Sequence, residues 1–135
     1  MSEAPEVDRS GFLPDHLGIV WGEVTTGRAA ARLTVERHHM APNGYLHAAS
    51  IIALADSICG VGCMATRPQG AVSFTTIELK SNFLSSARIG EPVSCEGRMQ
   101  HGGRTTQVWD AEVVNDATGK TIALFRCTQM VLWPR

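Results

Sequence analysis

The feature that most limits the fold of this chain is a run of mostly alanine, isoleucine and other apolar residues at positions 48–65. Asp56 is the only charged residue in this run. A helix that is apolar on nearly every side has to be buried. The run is long enough for a membrane span, but a central aspartate costs about 2.5–3.5 kcal/mol on insertion scales. It therefore predicts one long helix wrapped by a sheet.

The segments around this run alternate between apolar and polar residues and are separated by turn residues, as in an antiparallel sheet. Two apolar sets are predicted to face the core, Ile77, Leu79 and Phe83 in one strand and Trp109, Ala111 and Val113 in another. A tight turn is predicted at residues 101–103. The predicted strands are residues 19–24, 28–35, 75–83, 92–100, 104–114 and 121–133.

The length of 135 residues fits one core. We expect a tail at residues 1–15 and one domain at residues 16–135, of the α+β class, with about five or six antiparallel strands around one central helix. The net charge of -1 provides no broad basic surface for a nucleic acid. The acidic start of the chain does not resemble a secretory signal, so a cytoplasmic protein is expected.

Four cysteines occur in the chain, and their spacing does not form a zinc motif. Free cysteines are usually buried, so the expected role of all four is that of reduced core residues. No metal site is predicted. The four are Cys59, Cys63, Cys95 and Cys127.

Asp56 is the most informative residue, because the predicted helix offers it no basic partner within one turn. A buried carboxylate without a partner is costly, and such groups are common in functional sites. The alternative is a structural role, in which Asp56 caps a loop amide or pairs with an arginine from a strand. The helix alone leaves both interpretations open.

The run 43–47 leads into the same helix and ends at His47. The first N–H groups of a helix have no intrahelical acceptor and can polarise a carbonyl oxygen. In thioester hydrolysis, negative charge develops on that oxygen, and a preplaced donor is commonly worth about 3–4 kcal/mol. His47 itself is expected to orient the loop rather than to titrate in catalysis.

Two motifs carry a resemblance to a known family. The runs Pro-Asn-Gly-Tyr-Leu-His-Ala-Ala at 42–49 and Ala-Leu-Ala-Asp at 53–56 resemble the Gly-x-x-His-Gly-Gly and Ala-Leu-Ala-Asp/Glu signature of hotdog-fold acyl-CoA thioesterases. The branch concerned acts on phenylacetyl-CoA and 4-hydroxybenzoyl-CoA. Later runs at 76–84, 90–91, 101–105 and 119–120 resemble the same family in order, and the likeness covers about residues 16–133.

The resemblance implies a role for several residues. Asp56 would be the nucleophile or the base that activates water, the backbone N–H of Ala48 would donate to the thioester oxygen, and Thr76 matches a position where some members place a helping hydroxyl. The amide and the carboxylate of one site come from different subunits in the family, which implies a homodimer and predicts a dimer of dimers. CoA enters as part of the substrate, and no further cofactor is implied. The positions that match contacts to the nucleotide end of CoA are Arg104, Thr105 and Arg135.

The chain departs from the family pattern at three places. Ala41 stands where the family commonly has Asn or Gln, and Asn43 is the available substitute at a different offset. Ala48 and Ala49 replace two glycines, which adds methyl groups beside the expected pocket. The pair Ser-Ser at 85–86 replaces Arg-Pro. The alternatives are therefore an acyl-CoA binding protein without turnover, which Ala41 favours, and a hotdog enoyl-CoA hydratase or dehydratase.

Overall fold

The computed structural model describes residues 8–135. The elements are α1 Leu13–His16, β1 Val20–Thr25, β2 Arg28–Thr34, α2 Ala48–Thr66, β3 Ser73–Phe83, β4 Pro92–Gly102, β5 Thr106–Asn115 and β6 Thr121–Leu132. The six strands form one antiparallel sheet in the order β1-β2-β4-β5-β6-β3. The long helix α2 packs on one face of this sheet, and the one-turn helix α1 precedes β1.

The helix α2 lies where the sequence predicts it, because its apolar side chains fill the face of the sheet. Leu54 and Ile58 of the helix and Trp109 of β5 are almost fully buried. Each buried aliphatic side chain of this kind contributes about 1.5–3 kcal/mol relative to exposure. The helix has the length and hydropathy of a membrane span, but half of that window is buried inside the protein. The prediction of a hotdog architecture, a sheet wrapped around one helix, is confirmed.

The predicted packing of the third strand is wrong within the single chain. Ile77, Leu79 and Phe83 are 51%, 39% and 43% exposed. The strand β3 is at the edge of the sheet, and its pairing with β6 is interrupted by an irregularity between Thr76 and Glu78. The predicted alternation placed Thr76 on the polar face with Glu78, but the irregularity turns Thr76 toward α2, opposite the buried Gln129. Alternation also did not predict that the helix leaves this edge partly uncovered.

The predicted turn at residues 101–103 is also displaced. His101 and Gly102 belong to β4 and pair with Val108 and Gln107 of β5. A register shift between Met99 and His101 adds a residue to β4, so the connection is made by residues 103–105. The other predicted face is confirmed, since Trp109, Ala111 and Val113 are all buried.

Part of the segment predicted as a tail is folded. Residues 13–16 form α1, which contacts α2, and residues 1–7 lie outside the described residues. Pro14 stands in the first turn of α1, where its missing N–H costs nothing. This short segment brings Phe12 and Pro14 beside the middle of α2.

Candidate active site

Asp56 lies in the middle of α2 and is partly buried. The hydroxyl of Thr76, on β3, lies 2.8 Å from Asp56 Oδ1. Within residues 8–135, no lysine, arginine or histidine forms an ion pair with Asp56. The carboxylate is therefore held by a neutral hydrogen-bond partner and is not neutralised by a cation from the described residues.

A cleft of about 370 Å³ opens beside Asp56. Its walls come from the segment before β1, from β1, from the exposed face of α2 and from the start of β3. At the edge of the cleft, the guanidinium of Arg9 lies over the Trp21 ring, 4.9 Å from the ring centre. The lining is mostly apolar and aromatic, and its residues are Asp8, Arg9, Phe12, Pro14, Trp21, Asp56, Ser57, Gly60, Val61, Met64 and Phe74.

Gly60 is one helical turn after Asp56 and shapes this cleft. A Cβ at Gly60 would lie 2.7 Å from Cζ of Phe74, so a glycine lets the outer edge of this ring approach the helix closely. Two positions later, a Cβ at Gly62 would lie 2.5 Å from the ring of Trp109. The two glycines thus leave space for the ring of Phe74 at the cleft and for the ring of Trp109 in the core.

Three of the predicted residues lie at the start of α2 or in the turn before it. His47 is the N-cap, and its Nδ1 accepts a hydrogen bond from the N–H of Ala49 at 2.9 Å. The carbonyl of His47 accepts from Ser50 and Ile51. Among residues 8–135, the N–H of Ala48 has no acceptor, so one amide of the first turn stays available. The Asn43 side chain serves the preceding turn by accepting from the N–H of Tyr45.

His39 anchors this helix start and was missed by the sequence analysis. Its carbonyl accepts from the N–H of His47 and from the Ser50 hydroxyl. Its buried ring accepts from the N–H of Glu36 at Nδ1 and lies 2.7 Å from the carbonyl of Leu17 at Nε2. Because an N–H donor fixes Nδ1 as the acceptor, Nε2 carries the proton. A histidine in the segment before a helix gives no sequence signal of such a role.

The same histidine belongs to a group with metal-ligand spacing, formed by Glu36, His38 and His39. Both ring nitrogens of His39 are already hydrogen-bonded to the backbone. A cation there would break the bonds that hold the loop. The geometry of this group therefore favours a structural role.

The amide of Ala48 and the carboxylate of Asp56 do not meet within one chain. Eight residues of α-helix separate them, which corresponds to about 12 Å along the axis at 1.5 Å per residue. Two groups at that distance cannot act on one carbonyl carbon and its oxygen. Of the predicted residues, only Asp56 and Thr76 are brought into contact.

Arg104 and Thr105 lie near the other end of α2, and Arg135 is two residues after Trp133, which contacts Arg104. The turn with Arg104 precedes β5, where Gln107 donates a hydrogen bond to the carbonyl of Thr66 at the end of the helix. Arg104 stacks 4.5 Å from the ring of Trp133, which donates to the Arg104 carbonyl. Arg104 and Arg135 are exposed, and neither forms an ion pair in the described part of the chain.

The four cysteines are free and buried, as predicted. A hydrogen bond with Cys127 and burial raise the pKa of the Cys59 thiol well above its usual range. Burial raises the pKa of Cys63 to about 12. Thiols of this kind stay protonated at neutral pH and are poor nucleophiles, so Asp56 is the candidate reactive group.

The sequence profile of the thioesterase superfamily matches residues 43–122, more than half of the chain. The chain belongs to this family. The match includes α2 with Asp56, as well as β3, β4 and β5.

Individual relatives agree with this thioesterase assignment. The 1,4-dihydroxy-2-naphthoyl-CoA hydrolase of Listeria monocytogenes is 30% identical over 116 residues, covering 86% of this chain and 92% of the relative. The acyl-coenzyme A thioesterase PaaI of Escherichia coli is 29% identical over 110 residues, covering 82% and 75%. A Streptococcus mutans protein solved with bound acetyl-CoA superposes with a TM-score of 0.78 at 26% identity, covering 87% and 90%.

The protein is therefore a thioester hydrolase of the hotdog superfamily. The family assignment was correct at the level of the superfamily. Gln129, a buried neighbour of Thr76, was missed by the sequence analysis. The available signal was a polar residue on the inward register of β6, between the buried Cys127 and Val131.

Proposed function

We propose that this thioesterase hydrolyses an acyl-CoA to the free acid and CoA, with Asp56 as the nucleophile or as the base that activates water. The observation that carries the proposal is a carboxylate that faces an apolar cleft, is held by the Thr76 hydroxyl and has no ion pair within residues 8–135. Because no cation among residues 8–135 pairs with it, the carboxylate is free to attack carbon or to accept a proton.

The Ala48 amide of a second copy is the proposed donor to the thioester oxygen. The free N–H of Ala48 lies at a helix start, where the dipole favours developing negative charge. Since about 12 Å separates it from Asp56 in the same chain, the two groups require a symmetric dimer to act together. The uncovered apolar residues of β3 provide a surface for such a dimer. Pairing of dimers into tetramers is part of the same proposal.

The cleft beside Asp56 is the proposed acyl pocket, and its lining favours an aryl group. Phe12, Trp21 and Phe74 offer aromatic faces, and aromatic rings pair well with one another in stacked or edge-to-face geometry. The volume of about 370 Å³ lies at the lower end of ligand pockets, which suits an arylacetyl or benzoyl group or a medium alkyl chain. The name of the Listeria relative, 1,4-dihydroxy-2-naphthoyl-CoA hydrolase, also contains an aryl-CoA.

Arg104, Thr105 and Arg135 are proposed to contact the nucleotide end of CoA. Two exposed guanidinium groups without a carboxylate partner in the described chain can pair phosphate oxygens. The proposed substrate is an acyl-CoA of the cytoplasm. No metal or redox cofactor takes part in the proposed reaction.

Replacement of the carboxylate tests this function. Asp56→Asn keeps the size of the side chain and removes its charge, so kcat should fall by at least about a hundredfold, the lower end for a lost catalytic base. Release of CoA thiol from a panel of aryl and medium-chain acyl-CoAs measures the effect. Circular dichroism and light scattering report whether the variant keeps its fold and association.

Asp110→Asn is the matched control. Asp110 faces the outer side of the sheet, where it pairs with Arg126, and an exposed pair of this kind contributes at most about 1 kcal/mol. This variant should hydrolyse at the parent rate. Parent-like hydrolysis by Asp56→Asn would refute the site. Binding without thiol release in the parent would favour a non-catalytic protein, and hydration of crotonyl-CoA would favour a hydratase.

A further inference from the structure

Gln129 of β6 is fully buried, and the proposed function gives it no role. It pairs with Thr76 across β3 and β6, and its Oε1 lies 2.9 Å from the Thr76 hydroxyl. That hydroxyl is also 2.8 Å from Asp56 Oδ1. On its other side, Gln129 Nε2 lies 3.4 Å from Cys127 Sγ. A line of polar side chains thus leads from the core to the carboxylate.

Counting protons along this line limits how it can be arranged. A threonine hydroxyl has one proton, so it can donate to one acceptor only. An ionised Asp56 and the amide oxygen of Gln129 are both acceptors. One of the two contacts of the Thr76 hydroxyl would therefore have no proton. Buried polar groups are rarely left in this state, because the loss costs about 1–3 kcal/mol.

A half-turn of the Gln129 amide exchanges its oxygen and nitrogen and removes the conflict. The amide N–H then donates to Thr76 Oγ1, and the hydroxyl proton of Thr76 goes to Asp56 Oδ1. The thiol of Cys127 can donate to the amide oxygen on the other side. Every group in the line then has a partner, and all the donors point toward the carboxylate.

We infer that Gln129 is a positioning residue that directs the Thr76 hydroxyl toward Asp56 through its side-chain amide. The inference rests on the proposed function, because it concerns how the reactive carboxylate is held. With Oδ1 fixed by Thr76, Oδ2 is the oxygen left for the thioester carbon or for water. A hydrogen bond to the charged form also favours the ionised carboxylate that either route needs.

Gln129→Met tests this assignment, because methionine has nearly the same length and cannot donate an N–H. Without the amide, the Thr76 hydroxyl loses its fixed direction. The expected result is a loss of about tenfold in kcat with little change in KM. The acidic limb of the pH–kcat profile should move to higher pH, since the ionised carboxylate loses support. If Gln129→Met fails to fold, Gln129→Asn gives the same test, because the side chain is one methylene shorter and its amide no longer reaches the Thr76 hydroxyl.

Gln107→Met is the matched control. Gln107 is a buried glutamine directly opposite Gln129 on β5, and its amide serves Trp109 and the end of α2. Its replacement should lower Tm, because the buried Trp109 N–H loses its acceptor. It should leave the pH–kcat profile in place. A purely structural Gln129 would behave in the same way, and this result would overturn the inference.

A double variant shows whether Gln129 acts through Thr76. In a Thr76→Val background, the hydroxyl is absent, so Gln129→Met should reduce kcat little further. Independent effects that multiply would contradict the inference. Asp56→Asn distinguishes failure of the proposed function from failure of the inference about Gln129. If Asp56→Asn retains activity, the proposed function fails. If it is inactive while Gln129→Met matches Gln107→Met, only the role of Gln129 fails.

Discussion

At the scale of single residues, the two glycines of α2 determine what the helix can pack against. Gly60 faces the cleft, where its neighbour is the partly exposed ring of Phe74. Gly62 faces the core, where its neighbour Trp109 is fully buried and donates its indole N–H to Gln107. A methyl group added at either position meets an aromatic ring, but only one of the rings has space to move.

This difference predicts different effects on stability for two alanine substitutions. Gly62→Ala should lower the free energy of unfolding by up to about 2 kcal/mol, since overpacking costs about 1–3 kcal/mol against a gain of about 1 kcal/mol in helix propensity. Gly60→Ala should leave stability near the parent value, because the Phe74 ring can turn into the cleft. Urea denaturation of both variants measures the contrast, and equal losses would contradict it.

Gly60→Ala should in turn change substrate preference. A Phe74 ring pushed into the cleft shortens the acyl pocket, so kcat/KM for phenylacetyl-CoA relative to acetyl-CoA should fall about tenfold, the scale of a small steric change in an apolar pocket. An unchanged ratio in the folded variant would place the acyl group elsewhere.

At the scale of elements, β3 is an edge strand with exposed apolar side chains. Ile77, Leu79 and Phe83 are each more than one third exposed. Exposed apolar edges invite pairing with another strand, and natural proteins often block them with lysine. The only lysine of β3 is Lys80, which faces the outer side of the sheet beside Arg126. The rest of the edge is suited to a second copy of the chain.

Ile77→Lys should therefore weaken self-association. A charge on the edge strand has to be desolvated or repelled when two copies pair, so the variant should shift toward monomer. Ile89→Lys is the control, because Ile89 is 60% exposed in the loop after β3. Sedimentation velocity over a range of concentrations distinguishes the two. Identical association of Ile77→Lys and the parent would exclude a β3 interface.

The elements also show how far the sequence could be interpreted. The helix and the strands follow from local periodicity, because burial of one face leaves a pattern within a single segment. The exposure of Ile77 and the displaced turn at His101 depend on which strands are neighbours and where their register slips. The contact between Thr76 and Gln129 joins positions 53 residues apart. No local pattern records such a pair.

At the scale of the whole molecule, one chain holds the two proposed halves of the reaction centre at different points of α2. Asp56 is in the middle of the helix and the free amide of Ala48 is at its start, about 12 Å away by helix geometry. In a dimer with twofold symmetry, each contact between chains occurs twice. A dimer would thus have two sites, each with an amide from one chain and a carboxylate from the other.

Mixing two inactive variants tests this division of labour. Ala48→Pro removes the amide proton but suits the first position of a helix. The preceding His47 already has φ -66° and ψ 134°, which a following proline accepts. Ala48→Pro and Asp56→Asn should each have low activity alone. When they exchange subunits, each mixed dimer gains one site with both an intact amide and an intact carboxylate.

Equal amounts of the two variants should recover about one quarter of the parent activity, because random exchange makes half of the dimers mixed and each of these has one intact site. Thiol release before and after exchange under mild denaturant measures the recovery. A control sample that contains only Asp56→Asn, treated in the same way, should stay inactive. If the amide and the carboxylate of one site came from the same chain, every mixed dimer would carry one defect in each site and no activity would return.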